Sequence, residues 1–155
     1  MINKITSLYL DTSIFGGYYD DIFMQETRLL FEKIKAGKYD VFISDLVEGE
    51  LKKAPENVRN LLNSLKYELI EVSSECENLA DEYIKEKVVG ETSRDDCVHI
   101  ATATINNIDY LISWNYKHIV RAEKIKGYNS VNLKNGYKQL DIHSPREMGV
   151  YDDDE

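Results

Sequence analysis

The stretch Ser7-Leu8-Tyr9-Leu10-Asp11-Thr12-Ser13 decides how the rest of the chain is read. Four residues suited to a short buried strand run straight into a carboxylate, and Gly16-Gly17 is expected to break the chain soon after. An acid set directly behind a buried strand is poorly explained by solvation alone, since charge at the rim of an apolar layer is costly unless paired or used.

Working outward, short apolar runs alternate with helical patterns. Leu29, Leu30, Phe31 and Ile34 recur at helical spacing between Met24 and Ala36, and Gly37 is a natural stop. Tyr39 to Ser44 reads as a second strand. Ser44 or Asp45 would cap a helix through Lys53, and Pro55 would open another to about Lys66. A third strand, Glu68 to Val72, leads to a helix from Ser74 to about Lys87. A helix from Thr92 or Ser93 through Asn106 precedes a strand from Tyr110 to Ser113. A helix from about Tyr116 to Lys126 and a strand near Ser130 to Leu133 are predicted before Ile142-His143-Ser144-Pro145. The alternation predicts an α/β layer with a mostly parallel sheet, whose ligand sites form beyond the carboxyl ends of the strands.

The 155 residues suit one domain, expected over 1–150, with 151–155 as an acidic flexible tail. With 28 acidic against 19 basic side chains, a net charge of -9 and a pI near 4.9, a broad basic face for nucleic acid is excluded. An enzyme that meets phosphate through divalent cations is not. Two cysteines, Cys76 and Cys97, are too few for a disulfide scaffold, and Cys97 reads as a core thiol. No run approaches the roughly 20 apolar residues of a membrane span. No signal peptide is read at the N-terminus, so a cytoplasmic protein is expected.

Acids gather where a site is expected. Asp11 ends the first strand, Glu48 and Glu50 follow the second, and Asp95 and Asp96 open the helix that carries His99. Ser113-Trp114-Asn115 ends the later strand. Two carboxylates about 4 Å apart repel by roughly 4 kcal/mol at an effective dielectric of 20. Either their pKa values rise or a cation sits between them, and oxygen-only ligands suit Mg²⁺ or Mn²⁺. Each residue also has a plainer reading. Asp11 could close an Asx turn, and Ser93 with Asp96 resembles a capping box. Glu48 and Glu50 could pair with Lys52 or Lys53 on a helix surface. His99 could be a hydrogen-bonded core histidine, and Asn115 a turn residue.

Four motifs in order carry a resemblance: Leu10-Asp11-Thr12-Ser13; Ser44-x-x-Val47-x-x-Glu50-Leu51; Asp96-x-x-His99-x-Ala101-x-Ala103; and Leu111-Ile112-Ser113-Trp114-Asn115. Together they are similar to the PIN-domain ribonucleases, most of all the VapC-type toxins of bacterial toxin–antitoxin pairs. Phe15-Gly16-Gly17 and Ile142-x-Ser144-Pro145 fit one subgroup. The resemblance implies a three-layer α/β/α sandwich with a short sheet and an acidic pocket for Mg²⁺ or Mn²⁺. By position, Asp11 and Asp96 would hold the main cation. Glu50 would ligate it or orient the attacking water, and Asn115 and the supporting hydroxyl of Ser113 would complete the pocket. Asn115 stands where the family often has Asp, which removes one charge from the site.

The activity so implied is metal-dependent hydrolysis of RNA phosphodiester bonds, by a homodimer silenced by an antitoxin protein. Lys52, Lys53, Arg59 and Arg94 are candidate cations for the RNA, and Trp114 and Tyr116 candidate stacking surfaces. Two rivals stand beside it. One is a PIN-like binding or assembly module without catalysis, which Asn115 keeps open. The other is a haloacid-dehalogenase-type phosphohydrolase, which wants a second carboxylate at position 13, where Ser13 stands.

Overall fold

Leu8, Tyr9 and Leu10 are fully buried in β1 (Thr6–Leu10) of the computed structural model, which describes residues 4–153. The strand carries apolar side chains on both faces because both faces are covered, as parallel sheets require. β2 (Tyr39–Ser44) and β4 (Tyr110–Ile112) pair on either side of it, with Leu8 opposite Val41 and Leu10 opposite Ile112. β3 (Glu68–Ile70) and β5 (Asp141–His143) form the edges, giving the order β3-β2-β1-β4-β5 with every pairing parallel.

That order places the helices. The chain steps from β1 through β2 to β3 in one direction, then crosses back to β4 and β5 in the other. Right-handed crossovers in opposite directions put their helices on opposite faces. α1 (Thr12–Gly17), α2 (Met24–Lys35), α3 (Asp45–Leu51) and α4 (Glu56–Asn63) belong to the first set, and α1 packs on each of the other three. α5 (Ser74–Lys85), α6 (Arg94–Ile105) and α7 (Ala122–Lys134) form the second, with α5 packed on α6 and α7. α8 (Pro145–Asp153) returns to α2. The result is the α/β/α sandwich expected from the sequence, with an entirely parallel sheet. The strand order reverses between β1 and β4, which opens a crevice at their carboxyl ends.

Local chemistry explains the element ends. Gly37 has φ +82°; its N–H reaches Ile34 O and that of Lys38 reaches Lys33 O, a Schellman stop for α2. Ser144 and Glu147 exchange side-chain-to-backbone bonds, a capping box with Pro145 in the first helical position of α8. α6 is buried from Cys97 to Thr104, and its Ala, Thr and Cys residues let α5 approach closely. Cys97 is a free core thiol, pushed up to about 12 by burial. No described helix is long and apolar enough to cross a membrane.

Four expectations need correction. Ser130 to Leu133 lies inside α7, not in a strand: Tyr128 and Val131 are buried at helical spacing, and buried Asn132 accepts a hydrogen bond from Tyr83. The last strand is β5, three residues long and too short to announce itself by pattern. Residues 116–120 form a turn, and the helix expected from Tyr116 begins at Ala122. The tail expected from residue 151 continues α8 to Asp153, while Asp154 and Glu155 lie outside the described residues.

Gly16 and Gly17 end α1 instead of breaking the chain. A Cβ on Gly17 would lie 2.7 Å from the Trp114 indole, whose N–H donates to Thr27. Gly17→Ala is therefore expected to cost about 1–3 kcal/mol through overpacking. In a domain this long each kcal/mol lowers Tm by about 2–4 °C, readable by calorimetry; an unchanged melting point would contradict this packing role.

Candidate active site

The crevice between β1 and β4 receives Asp11 from the end of one strand and Ser113 from the end of the other. Tyr9 and Asp11 share one sheet face because strand side chains alternate. Asp11 is 4% exposed. Its Oδ1 accepts from the Ser13 backbone at 3.1 Å and the Ser13 hydroxyl at 2.6 Å, and its Oδ2 from the Ser113 hydroxyl at 2.6 Å. The Asx-turn reading is thus also true, for Asp11 caps α1. Ser113 in turn accepts from the Asn115 N–H at 2.9 Å, and Ser13 from the Trp114 N–H at 2.9 Å. Two serines therefore lace the β1 and β4 ends together around one carboxylate.

Asp96 enters from the first turn of α6. The capping-box reading fails, since the Ser93 side chain makes no cap hydrogen bond. The Asp96 carboxyl instead lies close enough to the Asn115 side chain for that amide to favour its ionised form. Asn115 turns its Oδ1 to the Lys117 and His118 N–H groups at 3.2 and 3.0 Å, which fixes the turn after β4. Its carbonyl oxygen is thereby committed to backbone.

Glu50 arrives from the last turn of α3. Its Oε1 accepts from the Thr12 hydroxyl at 3.0 Å and lies 3.0 Å from His99 Nε2. The pairing with Lys52 or Lys53 does not form; both lysines are exposed. Glu48 faces elsewhere, accepting from the Tyr67 hydroxyl at 2.6 Å and lifting that phenol to about 12. Asp95 is exposed.

The acids sense one another. Burial raises the Asp11 carboxyl above its ordinary 3.8 against the pull of His99, Ser113 and Ser13, and the charge of Asp96 raises it further. Asp96 is also raised, first by burial and then by Glu50, while His99, His118 and Asn115 oppose the rise. Glu50 goes the other way: burial is its largest single influence, but the His99 and Thr12 contacts outweigh it and hold the carboxyl below the usual range. Three acids from three separate elements thus share one electrostatic neighbourhood.

Among the described residues no three His, Cys, Asp or Glu side chains stand ready as a metal cage. The donor chemistry nonetheless fits Mg²⁺ or Mn²⁺, hard cations that take oxygen. Mg²⁺ commonly keeps several waters and is gripped by only one or two carboxylates. Asp11 and Asp96, whose charge burial disfavours, are the pair that a cation would relieve.

Beyond the acids, the substrate-binding candidates divide. Trp114 is buried, stacked on Phe23 with ring centres 4.2 Å apart, and presents no face to a base. Tyr116 is 43% exposed. Arg94 is paired with Asp81 at 3.0 Å, and Arg59 donates to the Ala54 carbonyl at 2.9 Å. Lys53 lines an open groove of about 420 Å³ beside Glu50, with Asp45, Leu46 and Gly49. Sequence reasoning passed over Thr12, Ser13, Tyr9 and His118. The signal for the first two was adjacency to Asp11, and for Tyr9 its place two residues before it on the same face.

Two solved structures share this fold. The chain matches one chain of a VapBC2 structure from Rickettsia felis, bound to a DNA fragment from its promoter, with a TM-score of 0.56. It is 18% identical, covering 90% of the present chain and 98% of the other. It also matches a chain of a toxin–antitoxin complex from Klebsiella pneumoniae, with a TM-score of 0.52 and 19% identity over 71% of the present chain and 88% of the other. No family model and no curated protein sequence matches the chain. At these identities the likeness establishes the fold, the PIN-like architecture expected from the sequence.

Proposed function

We propose that this protein is a Mg²⁺- or Mn²⁺-dependent endoribonuclease and the toxin of a toxin–antitoxin pair. The observation that carries the reading is that three acids meet at the β1/β4 switch point: Thr12, next to Asp11, bonds Glu50, while Asp96 raises the Asp11 carboxyl and Glu50 raises that of Asp96. Asp11 and Asp96 would hold the cation. A divalent cation there lowers the pKa of water and offsets the charge that builds on a phosphodiester under attack. Glu50, kept ionised, is suited to orient the attacking water and accept its proton. Ser13 and Ser113 hold Asp11 in place, and Asn115 stands beside Asp96 and favours its ionised form. Exposed Lys52, Lys53 and Tyr116 are the candidates that remain for gripping an RNA strand.

The Klebsiella pneumoniae relative is a toxin–antitoxin complex and the Rickettsia felis one a VapBC2 assembly, which supports an antitoxin partner; the cytoplasm is the compartment that this reading implies. An arginine from such a partner would satisfy the carboxylates much as a cation does. The homodimer belongs to the same reading. A second reading, a PIN-like module without catalysis, is favoured by Asn115, which brings no charge and whose oxygen is already committed. An RNA cleavage assay with Mn²⁺ and with EDTA separates them. Cleavage that appears only with the cation supports the nuclease; no cleavage with Mn²⁺, or equal cleavage without it, overturns it.

A further inference from the structure

Behind Glu50 lies a buried hydrogen-bonded chain. The Val47 N–H reaches Ser44 Oγ at 3.3 Å, Ser44 Oγ lies 2.8 Å from the Tyr9 hydroxyl, and that hydroxyl is 2.7 Å from His99 Nδ1. His99 Nε2 then meets Glu50 Oε1 at 3.0 Å. Ser44 and Tyr9 are fully buried and His99 is 3% exposed. Ser44 caps α3 and Glu50 lies in its last turn, so the chain leaves this helix at its start, crosses β1 and α6, and returns near its end.

Counting hydrogens gives the chain a direction. An ionised carboxylate has none to donate, so His99 Nε2 must donate to Glu50. With Nδ1 as acceptor, Tyr9 donates to His99 and Ser44 donates to Tyr9, while Ser44 accepts from Val47. Every hydrogen then has a partner. With a hydrogen on Nδ1 instead, Tyr9 would have to donate to Ser44, whose own hydroxyl hydrogen would be left without an acceptor among these groups. A buried group in that state is disfavoured.

We propose that His99 is a positioning residue: with its hydrogen on Nε2, it and Thr12 pin Glu50 Oε1, so that Oε2 is the oxygen presented to the reacting water. The role of Glu50 rests on the nuclease reading above; the pinning does not. A histidine shared between a core phenol and a pocket carboxylate transmits the rigidity of the sheet to a side chain on a short helix. Partners of this kind typically change activity 10–100-fold when removed.

Two measurements test it together. Side-chain ¹H–¹⁵N correlation spectra of the metal-free protein should show the His99 ring hydrogen on Nε2, with its resonance lost or shifted in Glu50→Ala. A hydrogen on Nδ1 alone, or an Nε2–H signal indifferent to Glu50→Ala, would overturn the proposal whether or not the protein cleaves RNA. In the cleavage assay, His99→Asn places its amide near the former Nδ1 and cannot reach Glu50, whereas His99→Gln places one near the former Nε2. His99→Asn is expected to lose about 10–100-fold in kcat with KM little changed, and His99→Gln to recover most of it. Equal activity of the two variants would overturn the proposal. If the wild type cleaves no RNA, the nuclease reading fails and the spectra alone decide the positioning; they also decide if a variant does not fold.

Discussion

Asp11→Asn is expected to lower Mn²⁺-dependent RNA cleavage by about a thousandfold, the scale of several kcal/mol of lost cation-borne stabilisation. Two features make the loss large. The carboxylate is held by the Ser13 backbone and by two hydroxyls, so its geometry is fixed before any ligand arrives. An amide keeps the shape but loses the charge, and turns an N–H₂ towards a hydroxyl that now donates. Asp96→Asn should lose a similar factor while keeping an oxygen for the Asn115 side chain. If the two acids act as one unit, the double variant should be little worse than either single one. Rates on a short labelled RNA measure this. A single variant that kept more than about a tenth of the wild-type rate would contradict the assignment, and losses that multiplied would contradict the shared site.

The second large effect is on melting. Mn²⁺ at about 100 times its Kd should stabilise the wild type by about 2.7 kcal/mol. For a domain of this length that is a rise in Tm of about 5–10 °C. Asp96→Asn should remove the response. In EDTA the order should invert. The raised pKa of Asp96 means that the fold favours the protonated carboxyl, so this stabilising contribution is present at acid pH and is lost as pH rises through the folded value. Asn has no charge to bury, and its advantage in Tm should be smallest in acid and grow towards neutral pH. Glu50 works in the opposite sense: its lowered pKa stabilises the fold above the ordinary carboxylate range and fades as pH falls. Comparing Asp96→Asn with the wild type at each pH removes the part of that contribution that does not depend on the Asp96 charge. Scanning fluorimetry across pH, with EDTA and with Mn²⁺, would show it; a wild type indifferent to Mn²⁺ would contradict cation binding.

What could be read from the sequence depended on the length of the signal. β1 and β2 run to five and six residues and are mostly buried, and their apolar character named them. β5 is three residues long, and Val131 with Leu133 mimicked a strand although α7 runs through both. Position near strand ends made an acidic cluster plausible, but Glu50 and Asp96 could be told from their neighbours Glu48 and Asp95 only by the ordered motifs that resemble the PIN-domain family. The committed oxygen of Asn115 and the failed capping box at Ser93 depend on side-chain directions that spacing does not encode. His99 lies between two opposed partners, one in the sheet and one on a helix 49 residues away in sequence, so no local pattern could reveal its role. Trp114 shows the same limit: an aromatic beside the site residues turned inwards because Gly17 left room for it.

The most direct test of the central claim, that Asp11 and Asp96 together hold a divalent cation, is the anomalous signal of Mn²⁺ in crystals soaked with it. The expected result is a peak bonded to carboxylate oxygens of both residues and absent in Asp96→Asn crystals. Saturating Mn²⁺ with no peak in this pocket, or a peak that persists unchanged in the variant, would contradict it.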